Sequence, residues 1–469
     1  MATIAMAAAL IGLMVCAYRG MSIILAAPLF AVVAAIGSQH AGLPVFSELY
    51  MTRLAEYLKT YYPIFLFGAI FAKLMESGGL ASAVAAKIVG VLGEKRAILA
   101  VILGCGALTY GGLSVFVVAF VMYPFGSYIF RQADIPKSLL PAALWMGIFS
   151  FAMVALPGTP QIQNIIPASY FGTSTWAAPG IGIFGALIFL AMGWGWLSYR
   201  AKKLKAQGYG YGAAEKVQKQ QKIRLSWKFA MVPLFMVVLL NVALSNPFNW
   251  DWGFHWGSDV LESFKSFNLS LIAASVGKVS AIWSISIALI VSSIAAAWIG
   301  RKRFMLMDGF MKPINFAAVS SGSAALNVAS GYAFGCVLVA MPGFEPIKDG
   351  LLSLGDSAGP LVSSVLATNI MCGITGSASG GLTIALATFA DQWAQMAASA
   401  GIPLDVLHRI VSIASVGVDP VPHAGAFVTL LAICGLTHKQ AYYDVLVLLL
   451  MKFTVPFLCI GFYLLTGIK

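Results

Sequence analysis

Apolar runs follow one another from end to end of this chain, and most approach the about 20 residues that carry a helix across roughly 30 Å of hydrocarbon. The pattern predicts spans over 3–17, 22–37, 62–75, 138–156 and 179–199 in the first half, and over 229–245, 279–300, 313–341, 410–434 and 442–465 in the second. Between the third and fourth spans, residues 98–123 are too long for one untilted crossing, and Gly104, Gly106, Gly111 and Gly112 crowd their centre. Glycine clusters interrupt helices, so this stretch predicts a re-entrant hairpin. A hairpin enters and leaves on one side, which keeps Lys95 and Arg96 together with Arg131 and Lys137. A second hairpin is predicted over 359–393.

One glycine-rich sentence occurs twice, as GGLSVFVVAF from Gly111 and GGLTIALATF from Gly380. Around it, four interruptions form two matched pairs: 104–112 with 157–164, and 368–381 with 416–425. In each half a hairpin tip rich in Gly, Ser and Thr precedes a helix broken by two prolines. The expected fold is therefore an all-α polytopic membrane protein of two inverted repeats, each of about five transmembrane helices with a re-entrant hairpin and a broken helix. Repeat boundaries fall at 1–198 (hairpin 98–123, break 157–164) and 229–469 (hairpin 359–393, break 416–425), joined by a basic loop over 199–228.

Composition agrees with this class. Hydrophobic residues make up 60% of the chain and charged residues 10%, against roughly 25% charged in soluble domains. The net charge of +12 sits in the short connections, so it reports topology and not nucleic acid. Residues 200–228 hold nine Lys or Arg and one acid, Glu215, and Arg301, Lys302 and Arg303 add a second basic cluster. Placing both inside puts both termini outside. The N-terminus lacks the basic flank of a secretory signal and reads as the first membrane helix. The stretch 246–267 is rich in aromatics and acids and predicts an external interfacial segment. Residues 46–61, with Arg53, Glu56 and Lys59 at helical spacing, are expected on the same surface. All six cysteines lie in apolar stretches without metal-type spacing and read as packing residues. No cofactor is expected.

Irregular backbone at membrane depth is tolerated only where protein or a watery cavity satisfies its polar groups. Four breaks at one depth would make such a cavity. Its expected lining is Thr109, Gly111, Gly112, Ser114, Gly158, Thr159, Gln161, Asn164, Asn369, Thr375, Ser377, Ser379, Gly380 and Gly381. Hydroxyls, amides and helix N-termini hold a carboxylate without an arginine, which suits a small hydroxylated acid. Asp419 and His423 are ionisable groups at mid-membrane, where they cost about 3 kcal/mol and usually persist for function. Both take and release protons, so they are the expected coupling pair. Lys452, near half depth in the last span, is expected either to pair with Asp419 or the substrate or to snorkel. Lys73 and Lys278 read as snorkelling. His40, His255, His408 and His438 fall in predicted loops and receive no role. No phosphate-binding loop and no nucleophile elbow is present, which argues against a pump ATPase or a soluble-type hydrolase.

The runs LAEYLKTYYPIFLFGAIFAKLMESGGLASAVA, KRAILAVILGCGALTYGGLSVFVVAFVMYP, ADIPKSLLPAALW, ALPGTPQIQNIIP and VDPVPHAGAFVTLLAICGLTHKQAY resemble the bacterial gluconate:proton symporter family, and within it the hydroxybutyrate and organic-acid permeases. The resemblance covers nearly the whole chain in order. It implies a secondary transporter of the ion transporter superfamily in the bacterial inner membrane, taking up a hydroxycarboxylate with protons by an elevator-type movement as a homodimer. It also implies site elements at 110–114, 158–164, 375–381 and 419–423. The partners implied are a small organic anion, protons and the bilayer, with sodium as an open alternative. A sodium-coupled di- or tricarboxylate carrier is the first competing function, and a channel or an intramembrane enzyme the second.

Overall fold

The computed structural model describes residues 2–19, 21–212, 225–248, 250–262, 275–306, 309–422 and 424–469. The regular structure there is helical, as expected where no water is available to satisfy a strand edge. Among the described residues, helices of ten or more residues divide into two sets of nine. The first set is α1 (Ala2–Tyr18), α2 (Ile23–Gly37), α3 (Gly42–Ser77), α4 (Leu80–Leu92), α5 (Ala97–Tyr110), α6 (Val115–Gln132), α7 (Lys137–Ala155), α8 (Ile162–Phe171) and α9 (Pro179–Ala206). The second is α10 (Trp227–Ser245), α11 (Ser280–Met305), α12 (Met311–Ala340), α13 (Glu345–Ala358), α14 (Pro360–Thr375), α15 (Ala378–Ser399), α16 (Leu404–Ala414), α17 (Gly425–Cys434) and α18 (His438–Thr466).

Both sets run in the same order: a long helix, a short one, two arms of a hairpin, a broken helix and a long closing helix. Their packing is reciprocal. Helix α3 lies on α12 and α9 on α18. Helix α8 lies against α15 and α16, and its counterpart α17 lies against α6 and α7. Seven of the helices are long and apolar enough to cross a membrane, or eight if α3 and α4, bent by 67° at Gly78 and Gly79, form one span. Helix α7 is the most enclosed of these, almost wholly buried. Helices α1, α2, α14 and α17 are apolar but shorter.

Several expectations change. Residues 46–61 do not form a separate surface segment; with 62–75 they make one continuous helix, α3, which includes a π turn at Val45–Tyr50. The paired aromatics explain it, because Tyr50, Tyr57 and Tyr61 are buried and Tyr57 packs on Tyr332 of α12. The first hairpin does not end at 123 but at Gln132. The loop expected over 199–228 begins later, since α9 continues to Ala206; residues 213–224 lie outside the described residues. Helices α4 and α13 were not anticipated, and each packs beside the first arm of a hairpin. His408 is not in a loop but fully buried within α16. Of the interfacial stretch 246–267, the described part exposes Phe248, Trp252 and Phe254; residues 263–267, with 249, lie outside it.

The second hairpin depends on a close crossing. Gly381, in the first turn of α15, faces the backbone of Met371 and Cys372 so directly that a Cβ would collide with main-chain atoms, which cannot swing aside. Gly322 on α12 has open space instead. Overpacking costs about 1–3 kcal/mol, so Gly381→Ala is expected to lower the melting temperature in detergent. Gly322→Ala is the control and should leave it unchanged or slightly raised. Equal melting of the two variants would contradict the crossing.

Candidate functional site

The first break, residues 156–161, separates α7 from α8. Pro157 and Pro160 supply no N–H, and Gly158 takes φ of 75° with the Trp176 ring lying where a side chain would be. Several polar groups here have a protein partner, although among the described residues Thr109 Oγ1, Gln163 Oε1, Trp176 Nε1 and Asn241 Oδ1 are buried without one. The Gly158 N–H donates to Thr175 O at 2.9 Å, and Thr159 Oγ1 donates to Ala152 O at 2.7 Å. Gln161 Nε2 reaches across to the first hairpin tip, donating to Thr109 O at 2.8 Å and Leu113 O at 3.2 Å. The Tyr110 hydroxyl returns the link, donating to Pro157 O at 2.8 Å. Asn241 of α10 donates to Gly158 O and to Thr175 Oγ1.

Beneath this break lies a residue from the other half of the chain. Arg409 of α16 is fully buried. Its Nε donates to Ala177 O at 3.0 Å, its Nη1 to Val154 O at 2.9 Å and Asn164 Oδ1 at 2.8 Å, and its Nη2 to Thr175 O at 3.1 Å and Ala177 O at 2.8 Å. A guanidinium has five N–H donors, so all are used. Asn164 Nδ2 donates to Thr159 O and Thr175 O. Its Oδ1 also meets His408 Nε2 at 3.2 Å, and His408 Nδ1 meets Thr173 Oγ1 at 2.6 Å. A neutral imidazole with its proton on Nε2 satisfies both contacts.

The second break, residues 415–424, separates α16 from α17 and is bonded differently. Lys452 Nζ of α18 donates to Asp419 Oδ1 at 2.7 Å, with both side chains almost wholly buried. The ammonium also lies 5.7 Å from the Trp145 ring centre of α7. Pairing, not snorkelling, is therefore the role of Lys452. Among the described residues, Asp419 Oδ2 has no hydrogen-bond partner, nor do Thr368 Oγ1, Asn369 Oδ1 and Ser412 Oγ, all buried. Asn369 Oδ1 faces Gly417 so closely that a Cβ there would strike it. The first break is thus braced by amides and a guanidinium and the second by an ion pair, and both leave buried side-chain atoms without partners among the described residues. His423 lies outside the described residues.

The structure sorts the expected lining residues. Thr109, Gly111, Gly112, Gly158, Thr159, Gln161 and Asn164 gather at the first break, with Ser114 preceding α6; Gly111 abuts Leu234, and Gly112 lies near Pro160 and Phe71. Of these, the Thr109 hydroxyl is buried without a partner. Asn369 joins Asp419 at the second break. Thr375 bonds back to Met371 O, Ser377 caps α15 by accepting from Gly380 N, and Gly380 and Gly381 start that helix beside buried Ser379. These residues hold the hairpin itself. Behind that tip, a cavity of about 140 Å³ lies between α1, α12, α14 and α15, with apolar walls except for Thr3 and Thr375; it offers little to an acid. Sequence reasoning missed Arg409, Asn241 and Asp444. Asp444 of α18 is held by Arg200 at 2.7 Å and Trp196 at 3.1 Å, both from α9. The signal for Arg409 and Asp444 was present as charges inside the apolar runs LDVLHRIVSIA and HKQAYYDVLVLLL, and that for Asn241 as the lone amide inside the apolar run WKFAMVPLFMVVLLNVALS.

Long apolar helices, a pair of them interrupted, define a multi-pass membrane protein. The chain is 41% identical over 474 residues to the uncharacterized transporter YxjC of Bacillus subtilis (strain 168), with 97% of each covered. It belongs to that transporter family. No family model matches it. Two solved structures share the fold: the YdaH transporter of Alcanivorax borkumensis, described as having an unusual topology (15% identity, TM-score 0.59, 90% of each chain covered), and MtrF of Neisseria gonorrhoeae, described as illuminating a class of antimetabolite efflux pumps (15%, 0.54, 87% of this chain and 83% of that one). At such identity the likeness is one of fold alone.

Removing one member of a buried ion pair strands the other charge, at about 3–5 kcal/mol, whereas replacing both with apolar groups is far cheaper. Lys452→Met is therefore expected to lower the melting temperature in detergent strongly, and Lys452→Met with Asp419→Leu to restore most of it. A double variant no better than the single one would contradict the pairing.

Proposed function

We propose that this protein is a proton-coupled secondary transporter of a small hydroxycarboxylate, a gluconate-like sugar acid or a short hydroxy acid such as 3-hydroxybutyrate. The observation that carries this reading is the enclosed Lys452–Asp419 pair with its second carboxylate oxygen unspent. A proton arriving at Asp419 cancels its charge and releases Lys452 from its partner. An ammonium without a counter-ion is costly in a site of low dielectric, and a substrate carboxylate removes that cost. Proton and anion then enter as a neutral set, which couples them. Broken helices at matched positions near the midplane are the usual seat of such sites.

The resemblance to the gluconate:proton symporter family supports the substrate class. We further propose that the two sets of nine helices are inverted repeats, that the site residues of both breaks share one cavity, and that the protein works as a homodimer in the bacterial inner membrane with both termini outside. A sodium-coupled reading has one observation in its favour: Thr368 Oγ1, Asn369 Oδ1 and Ser412 Oγ are buried oxygens without donors, and hydroxyl and carbonyl oxygens also coordinate Na⁺.

The test is uptake of labelled gluconate and of 3-hydroxybutyrate into proteoliposomes with an inward proton gradient and no sodium. One acid is expected to accumulate, and a protonophore to abolish the accumulation. Asp419→Asn, which cannot ionise, is expected to lose proton-driven accumulation. Accumulation by Asp419→Asn at the wild-type level would remove Asp419 from the coupling, and accumulation only on adding sodium would favour the second reading.

A further inference from the structure

Among the described residues, Lys452 and Arg409 are the fully buried Lys or Arg side chains; Lys452 faces the carboxylate of Asp419, as the partly buried Arg200 faces that of Asp444. Arg409 faces only neutral oxygens, three backbone carbonyls and one amide, and among the described residues no carboxylate pairs with it. A guanidinium does not deprotonate in a protein, so this region holds one positive charge that no carboxylate contacts; Asp405, one turn earlier on α16 and only partly buried, acts on it from a distance. Its donors are spent, so it cannot grip a ligand. Its field is not spent, because unit charges still interact over about 10 Å at the effective dielectric of a protein interior. The first break is that near: Arg409 holds Asn164, Asn164 holds Thr159 O, and two residues on Gln161 holds the hairpin tip at Thr109, whose buried hydroxyl has no partner.

We propose that Arg409 is a specificity-determining residue that makes the core favour an anionic over a neutral substrate, acting through its field while its fork fastens the two halves together at the first break. An anion lowers the cost of this buried charge, and a neutral molecule of the same shape leaves it standing. The proposal rests on the hydroxy-acid reading above.

The experiment uses reconstituted full-length protein and whichever of gluconate and 3-hydroxybutyrate the wild type accumulates. Initial rates give KM and kcat for the labelled acid, and competition by its uncharged amide gives the preference for charge. Arg409→Lys, which keeps the charge, is expected to retain the wild-type preference. Arg409→Gln is expected to reduce it on the order of tenfold, with the KM of the acid rising more than kcat falls. Asn164→Asp places a carboxylate on a bond Arg409 already makes and guards against a misfolded Gln variant; it is expected to reduce the preference similarly. An unchanged preference in folded Arg409→Gln or in Asn164→Asp would overturn the proposal, as would an equal loss in Arg409→Lys and Arg409→Gln, which marks a purely structural brace. If the wild type accumulates neither acid under a proton or a sodium gradient, the functional reading itself falls and this proposal with it, a failure visible before any variant is made.

Discussion

A peptide group released at a helix break has no water to turn to in hydrocarbon, and that constraint governs the interior of this protein. Each unsatisfied group costs several kcal/mol, so a chain that interrupts a helix must supply partners from elsewhere. At the first break it does so almost completely. Gln161 caps the hairpin tip, Asn241 reaches in from α10, and Arg409 gathers carbonyls from Val154, Thr175 and Ala177. The last of these is the most consequential, because it draws a residue of the second half into the break of the first.

The second break meets the same constraint with charge. Asp419 and Lys452 satisfy one another and leave oxygens around them unspent. Two matched interruptions are thus braced differently, one by amides and a guanidinium and the other by an ion pair. A buried pair is poor as a source of stability.

The class of protein was legible along the chain, from apolar runs of membrane length and a scarcity of charge. Clustered glycines and paired prolines marked, within a few residues, the helix interruptions at 156–161 and 415–424. The merging of residues 46–61 into α3 was not legible, because its polar spacing resembles a surface helix until Tyr57 is seen against Tyr332. Hydroxyls are ambiguous for a related reason. Thr375 bonds back to its own helix, a use that leaves the same letter in the sequence as a ligand site does.

What the sequence by itself determined is therefore where the backbone had to break, since glycine and proline act on their own residues and neighbours. What only the tertiary structure decided is who repairs each break. Arg409 lies 245 residues from Asn164, and Lys452 lies 33 from Asp419. No local pattern connects such partners, because the energy that selects them is the burial of a polar group whose surroundings exist only after the helices have packed.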